Sequence, residues 1–482
     1  MPGKYVWIFA TLRLTSSIRL DDLSLFVSFR MTCKQTCLKQ SYCALPLLIA
    51  SFSLHAENGC NGRAFAALTL PNGEIVFGGD FTECNGAPFN RIVRYNPGTN
   101  RWLPLGTRGR GVNESVYSLV WYQHSLVVGG AFTRAGDKKA LGIARWNPLS
   151  NQWQAFESTD KMFNGTGGQS GKGPVIALEV NGNLLYAGGQ FNQMVDTKTP
   201  SKIAVFNGNS WSNVGDNLGN VGTLYAIKAF NGKLYVGGEL MPNVNQLAQF
   251  DGSSWSALAF GVNGSVLRLA VFANELIAVG RFSRSCSNPP GSPMGCGSFS
   301  SVLTGNIARW DGSNFQIVNP VTLSGSVQGS LNSIALSGLY ASPSRLMTGG
   351  LINGSLPGAI GSKFFGIGVT NSFAGVWTAP ATVPDSKIGG LFSYCSQGTE
   401  RLGYAVSFAE SNGSLFVAGD FAGAGAPVAD TANPLSFCMP GQPVGVNARN
   451  VARLVDGNLK PEWQPISGTS DEDFLFGDGF DE

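Results

Sequence analysis

The stretch from Asn231 to Gly261, NGKLYVGGELMPNVNQLAQFDGSSWSALAFG, decides the fold. An Asn231-Gly232 turn leads into the apolar run Leu234, Tyr235 and Val236, which stops at Gly237-Gly238. A second run, Leu247 to Phe250, ends at Asp251-Gly252, and Trp255 opens a third, SALAF. Ahead of all three lies TLYAIKAF, Thr223 to Phe230. Short apolar runs divided by Gly, Asn and Asp turn signals read as strands, here four, near 223–230, 233–237, 246–250 and 255–259.

The unit recurs along the chain. Val76-Phe77-Gly78-Gly79-Asp80-Phe81 precedes Ile92-Val93-Arg94-Tyr95-Asn96 and Trp102. Val127-Val128-Gly129-Gly130-Ala131-Phe132 precedes Ile143-Ala144-Arg145-Trp146-Asn147 and Trp153. Tyr186-Ala187-Gly188-Gly189-Gln190-Phe191 precedes Ile203-Ala204-Val205-Phe206 and Trp211. After the opening unit come Ile277-Ala278-Val279-Gly280-Arg281-Phe282, then Ile307-Ala308-Arg309-Trp310 and Phe315. A degenerate copy holds Leu346-Met347-Thr348-Gly349-Gly350-Leu351 and Trp377. The last holds Phe416-Val417-Ala418-Gly419-Asp420-Phe421, Val451-Ala452-Arg453-Leu454 and Trp463. These are seven units, with roughly 42 to 70 residues between successive glycine pairs.

A chain of 482 residues would ordinarily suggest two or three domains. Repeats this short argue instead for one closed array over residues 57–466: an all-β, seven-bladed β-propeller of four-stranded antiparallel blades. First strands such as VYSLVW (116–121) and VIALEV (175–180) are apolar at nearly every position, as strands buried on both faces are. With 64 glycines, 13% charged residues and no G-X-Y period, the composition fits many tight turns. Gly79, Gly130, Gly189, Gly238, Gly280, Gly350 and Gly419 end the second strands, where positive φ or close backbone approach is expected. Trp102, Trp153, Trp211, Trp255 and Trp463 share one repeat position and read as wedges between blades. Closure leaves few strand edges open to pairing.

The first 56 residues read as targeting sequence. From Met31, Lys34 and Lys39 form a basic region, Ala44 to Leu54 an apolar core too short to span a bilayer, and cleavage is expected after Ala56. Residues 1–30 fit no signal layout, and the expected start is Met31. Removal of 1–56 leaves 27 basic against 28 acidic residues. Such a balanced body lacks the clustered basic footprint of a nucleic-acid binder, and no membrane span is expected in it.

Six cysteines remain: Cys60, Cys84, Cys286, Cys296, Cys395 and Cys438. An even number in an exported chain suggests disulfides. Cys60 and Cys395 precede the first strand of their units, and Cys84 and Cys438 follow the glycine pair of the same units. That register pairs Cys60 with Cys84 and Cys395 with Cys438, leaving Cys286–Cys296 to close SNPPGSPMG.

The pattern LYVGG…IAxW/F(N/D)G…W, at 234–255 and in its six relatives, resembles the kelch-like and galactose-oxidase-type propeller superfamily. It is especially similar to the repeats of fungal cell-surface cortical-marker propellers and of bacterial secreted repeat proteins. The resemblance covers about 400 residues. It implies four-stranded blades, most often seven, and the motif residues are structural. The sixth unit departs from the pattern, lacking a clear third strand, which makes six blades the alternative.

Chemistry is sparse. Only His55 and His124 are present, and His55 leaves with the leader, so neither a copper-radical site nor a His-rich zinc site can be assembled. His124, in a strand-to-strand turn, reads as an exposed turn residue. The run Gln169 to Gly173 fails as a phosphate loop, because Thr166 and Gly173 stand where Gly and Ser/Thr are required. The ending DEDFLFGDGFDE, after the Ser467–Ser470 linker, lacks EF-hand spacing. It resembles the FxDGFE-type endings of exported Gram-negative proteins, which implies export or sorting. No cofactor and no metal are expected.

What distinguishes the units is loop and slot. The longest connections after the glycine pairs are 283–304, 351–368 and 422–446, and long loops on rigid scaffolds carry binding. The residue following each pair varies: Asp80, Ala131, Gln190, Glu239, Arg281, Leu351 and Asp420. The expected function is therefore that of a monomeric, exported, non-enzymatic propeller, periplasmic, at the cell surface or extracellular. It would bind a protein or glycan through one loop face. The alternative is a secreted hydrolase or lyase using Asp80, Glu239 or Asp420.

Overall fold

The structure is a computed structural model describing residues 59–107, 111–156, 164–165, 173–193, 202–215, 218, 222–239, 245–286, 306–317, 336–343, 345–355, 363–370, 388–392, 404–421, 423–424, 446–447, 450–455, 462–466 and 469–470. The leader, Cys296, Cys395, Cys438, Trp377 and the 471–482 tail lie outside the described residues. The chain divides into Met1–Ala56 and Glu57–Glu482, and the fold is that of the second unit. Among the described residues there is no helix.

Among the described residues six units form four antiparallel strands in simple sequence order, the first joined by a fifth, parallel strand. Blade one is Ala64–Thr69, Ile75–Gly79, Ile92–Asn96 and Arg101–Leu103. Blade two is Val116–Tyr122, Ser125–Gly130, Ile143–Asn147 and Gln152–Ala155. Blade three is Val175–Asn181, Leu184–Gly189, Ile203–Phe206 and Trp211–Asn213. Blade four is Leu224–Phe230, Lys233–Gly238, Leu247–Phe250 and Trp255–Ala257. Blade five is Val266–Phe272, Glu275–Gly280, Ile307–Trp310 and Phe315–Ile317. The last blade is Tyr404–Ser411, Ser414–Asp420, Val451–Val455 and Glu462–Pro465.

The sixth unit is irregular. Leu336–Ser342, Arg345–Ser355 and Lys363–Thr370 pair antiparallel, Ile388–Phe392 joins in parallel, and Gly423–Ala424 and Val446–Asn447 extend the sheet. This corrects the reading of 351–368 as a loop. The second strand runs on to Ser355, bulged between Gly349 and Asn353, and KFFGIGVT supplies the third strand that the motif search missed. The inner strands contact one another in ring order, and that of the sixth unit sits between those of blade five and the last blade.

A single irregularity marks every inner strand. The ladder shifts by one residue at Ala64/Ala66, Val116/Ser118, Val175/Ala177, Leu224/Ala226, Val266/Arg268, Leu336/Gly338 and Ala405/Ser407. The bulge pushes a carbonyl over the second glycine. A Cβ there would lie 2.0–2.2 Å from that oxygen at Gly79, Gly130, Gly189, Gly238, Gly280 and Gly419. Close approach, and not positive φ, is what these six positions require; of the seven only Gly350 has positive φ, at 154°.

The first glycine serves the neighbour. A Cβ would lie 2.4 Å from Val116 at Gly78, 2.9 Å from Val175 at Gly129, 2.5 Å from Leu224 at Gly188 and 2.4 Å from Val266 at Gly237. Where the ring closes the sizes invert: Ala418 takes the glycine position, and Ala64 and Ala67 take the Val and Leu positions of the facing strand. The same seam is tied by Ala67 N to Ser407 Oγ (3.0 Å), Thr69 Oγ1 to Glu410 O (2.7 Å) and Asn450 Nδ2 to Cys60 O (3.0 Å). Thr469–Ser470, from the stretch read as a linker, pairs in parallel with Arg101 and Trp102 on the outer edge of blade one.

Candidate ligand-binding mouth

The variable residue after each glycine pair lies at one end of the ring. Its amide donates to the residue that opens the same blade's inner strand: Asp80 N to Arg63 O, Ala131 N to Ser115 O, Gln190 N to Pro174 O, Glu239 N to Thr223 O and Arg281 N to Ser265 O. Slot and strand-opening residues are therefore held side by side at the same end of each of these five blades. Directly behind the slot, Phe81, Phe132, Phe191, Phe282 and Phe421 are fully buried, so the slots stand on packed cores.

From blade three round to blade one the mouth is a polar arc. Gln190 Nε2 donates to Thr223 Oγ1 at 3.0 Å, and Ser265 Oγ donates to Glu239 Oε1 at 3.2 Å. Tyr225, with Thr223 and Glu239 in hydrogen-bonding range, has its phenol pushed up by burial first and then by the Glu239 charge; Arg281 pulls the other way. Tyr404 is pushed up by burial and by Asp420, against Arg63 and Arg281. Arg281 thus acts on tyrosines of blade four and of the last blade at once. Arg63 Nε and Nη2 both donate to Asp80 Oδ2, at 2.8 and 2.6 Å. Burial alone would lower the Arg63 pKa, but Asp80, Asp420 and Tyr404 raise it. Toward blade two the arc gives way to rings: Phe65 and Tyr117 lie 5.6 Å apart, and the Arg63 guanidinium sits 5.0 Å over Phe65.

Such a mouth is mixed in character. Asp80 is neutralised by Arg63, Glu239 is held by Ser265, and Asp420 is beside Tyr404 and Arg63. Among the described residues no three His, Cys, Asp or Glu side chains group as a metal site would need. His124 is exposed, in a turn with φ of 59°, at the far ends of the strands. No described helix is long and apolar enough to cross a membrane.

Three asparagine supports of the mouth went unread in the sequence. Asn113 Oδ1 accepts from the amides of Thr133 and Arg134 (both 2.9 Å), while its Nδ2 donates to Thr133 Oγ1 (3.0 Å). Asn61 binds Thr82 and Glu83 in the same way, and Asn263 binds Ser283 and Arg284. The signal was available: an Asn three residues before the inner strand, with Phe-Thr or Phe-Ser after the slot. The cysteines add to this scaffold in blade one, where Cys60 and Cys84 are bonded, and in blade five, where Cys286 is disulfide-bonded to a partner outside the described residues.

The tryptophans lie away from the mouth. Trp153 Nε1 donates to Leu105 O (3.0 Å) and Trp255 Nε1 to Val214 O (2.7 Å), each the exit of the preceding blade. Trp102 is fully buried, 5.1 Å from Tyr95, and Trp211 is half-buried against Phe156. The backbone of Trp463 lies in the outer strand of the last blade.

Residues 64–234 match the family described as Rax2 C-terminal beta propeller domain. An F-box/kelch-repeat protein of Arabidopsis thaliana is 25% identical over 242 residues, which is 47% of this chain and 61% of the relative. The kelch-like propeller superfamily is supported. The chain spans less than two thirds of that relative's length. Solved structures with similar folds include the computationally designed Ika8 protein (TM-score 0.38, 13% identity, 75% of this chain and 94% of that one). YCF48 bound to D1 peptide (0.43, 9%, 76% and 91%) and the WD40 β-propeller domain of Doa1 (0.42, 12%, 75% and 90%) are others.

Proposed function

We propose that this protein is an exported β-propeller that acts by binding, and that its ligand, a protein or a glycan, is held at the mouth formed by the slot residues. The observation that supports this is the polar arc itself. Arg281, Glu239, Tyr225, Tyr404, Asp420 and Arg63 converge from four blades on one opening, beside the Phe65–Tyr117 pair. Hydrogen-bonding groups along the rim with one aromatic pair beside them suit a ligand that is polar at its edges and apolar on a face. The arc also bears the roots of the long connections 283–304 and 422–446, which leave from Arg281-Phe282 and Asp420-Phe421. These loops would give the mouth its asymmetry.

The test is a glycan array and a pull-down with the processed chain, wild type against Arg281→Ala and Tyr404→Phe combined. Losing a charged and a hydrogen-bonding contact predicts binding at least tenfold weaker, with the thermal unfolding midpoint unchanged. A double variant that binds as the wild type does would remove the mouth as the site. Export is checked separately, by finding the chain outside the cytoplasm with its N-terminus at Glu57.

A further inference from the structure

The blades share an exit rule that the closing seam departs from. Three residues after the outer-strand tryptophan stands a buried apolar residue: Leu105, Phe156, Val214, Leu258 and Ile466. At two seams its carbonyl accepts the indole N–H of the next blade, Leu105 O from Trp153 and Val214 O from Trp255. Where the ring closes, Ile466 takes this place, buried in one cluster with Tyr95 and Trp102 of blade one and Phe416 of the last blade. Yet Trp102 Nε1 is buried with no hydrogen-bond partner among the described residues. The indole tie found at the other two seams is missing here.

The chain beyond Ile466 supplies a different tie. Between successive units the backbone runs from the outer strand of one to the inner strand of the next. The last blade instead meets blade one, the first in the chain, through side-chain bonds near the inner strands: Ala67 N to Ser407 Oγ (3.0 Å) and Ser411 Oγ to Gly73 O (2.8 Å). On the outer side, Thr469 and Ser470 pair in parallel with Arg101 and Trp102. Of the six regular blades, blade one alone carries a fifth strand. That pairing covers an edge and places backbone bonds at the residue whose indole is left unbonded. The mouth straddles the same seam, since Arg63 and Asp80 come from blade one while Tyr404 and Asp420 come from the last blade.

We infer that Thr469–Ser470 is a clasp, a backbone strap that stands in for the missing indole tie and holds the last blade against blade one. By keeping that seam shut it keeps the two sides of the mouth facing each other. The clasp does not depend on what the mouth binds.

Native-state hydrogen exchange tests it at two equivalent amides. Ala67 N bonds to Ser407 Oγ across the closing seam, and Leu178 N bonds to Ser118 Oγ (3.1 Å) across the seam between blades two and three. Deleting residues 467–482 should quicken exchange at Ala67 about tenfold or more and leave Leu178 unchanged. Deleting 471–482 alone should change neither. Thr469→Pro with Ser470→Pro, which removes both N–H donors from the strap, should reproduce the first result at full length. Trp102→Phe should lower the unfolding midpoint less than Trp153→Phe, because only the second loses a hydrogen bond. Ala67 protection that survives both the longer deletion and the double proline overturns the clasp. Equal quickening at Ala67 and Leu178 overturns its assignment to this seam, and quickening on deletion of 471–482 alone overturns its assignment to Thr469–Ser470. Equal losses in the two tryptophan variants overturn the exchange of one tie for the other.

Discussion

Gly130→Ala tests how the bulged inner strand and the second glycine are locked together. The alanine Cβ would stand 2.2 Å from Ser115 O, with Phe132 Cδ1 at 2.9 Å. An ordinary carbon–oxygen approach is about 3.3 Å, so the overlap is about 1 Å. The obstructing atom is a backbone carbonyl that also accepts from Ala131 N at 2.9 Å, and it cannot swing aside without breaking that bond. Overpacking of this kind costs about 3 kcal/mol. Because φ at Gly130 is not positive, the substitution also gains about 1 kcal/mol from a less flexible unfolded chain. The net expected loss is about 2 kcal/mol. Gly98, whose added Cβ would meet only Asn96 Oδ1 at 3.3 Å, is the control and should stay within about 0.5 kcal/mol of the wild type. Urea unfolding of the two variants, with equal m-values, reads the difference. A Gly130→Ala protein as stable as Gly98→Ala would refute the bulge argument for all six blades that share it.

Asn113→Ala strands two amides and a hydroxyl and should cost about 1–2 kcal/mol. Hydrogen exchange at Thr133 and Arg134 should quicken, and Asn61→Ala should loosen its hairpin less, because Cys60–Cys84 spans the same place. Reducing that disulfide, whose cysteines are 24 residues apart, should destabilise by about 3 kcal/mol in chemical denaturation. Tyr340, pushed up to about 12 by burial first and then by the Glu410 charge, is neutral in the fold where an unfolded tyrosine would ionise. Its contribution is present below pH 10 and is lost as pH climbs toward 12; two units would be about 2.7 kcal/mol, which water at the half-exposed phenol reduces to about 1. Tyr340→Phe should flatten stability between pH 10 and 12. At the closing seam, Ala64→Val should destabilise by about 2 kcal/mol and Ala418→Gly should restore at least half of it, whereas strict additivity in the cycle would deny that the two sizes are matched.

Much of this architecture was legible in the sequence, because each repeat states its strands twice, once by apolar runs and once by punctuation. Asn147 and Asp251 show the punctuation at work: Asn147 Oδ1 caps the amides of Leu149 and Ser150, and Asp251 Oδ1 those of Ser253 and Ser254. Those bonds hold the Asp251 carboxyl at about 2. The sixth unit was misread because its third strand, Lys363–Thr370, carries Gly368 and Thr370 where blade two carries Ala144 and Trp146, and a second strand that runs past its glycine pair looks like a loop. The role of the second glycine was misjudged for a different reason. A one-residue ladder shift leaves no trace in residue type on its own strand; only the absent Cβ on the partner strand records it.

The candidate site was less legible, and the reason is physical. Slot residues such as Asp80, Glu239 and Arg281 were singled out by their variability, but variability alone does not distinguish a tolerant surface from a binding one. The distinguishing fact is convergence: Tyr404 feels Asp420, Arg63 and Arg281, which come from three separate blades. Closure of the ring creates that neighbourhood, and no local pattern encodes it. Arg268 makes the same point more sharply. In one dimension it is an arginine in an apolar run, easily taken for a snorkelling surface residue. Only the seven-fold register shows that every equivalent residue is small, and that Arg268 is the one long side chain in this position among the described inner strands.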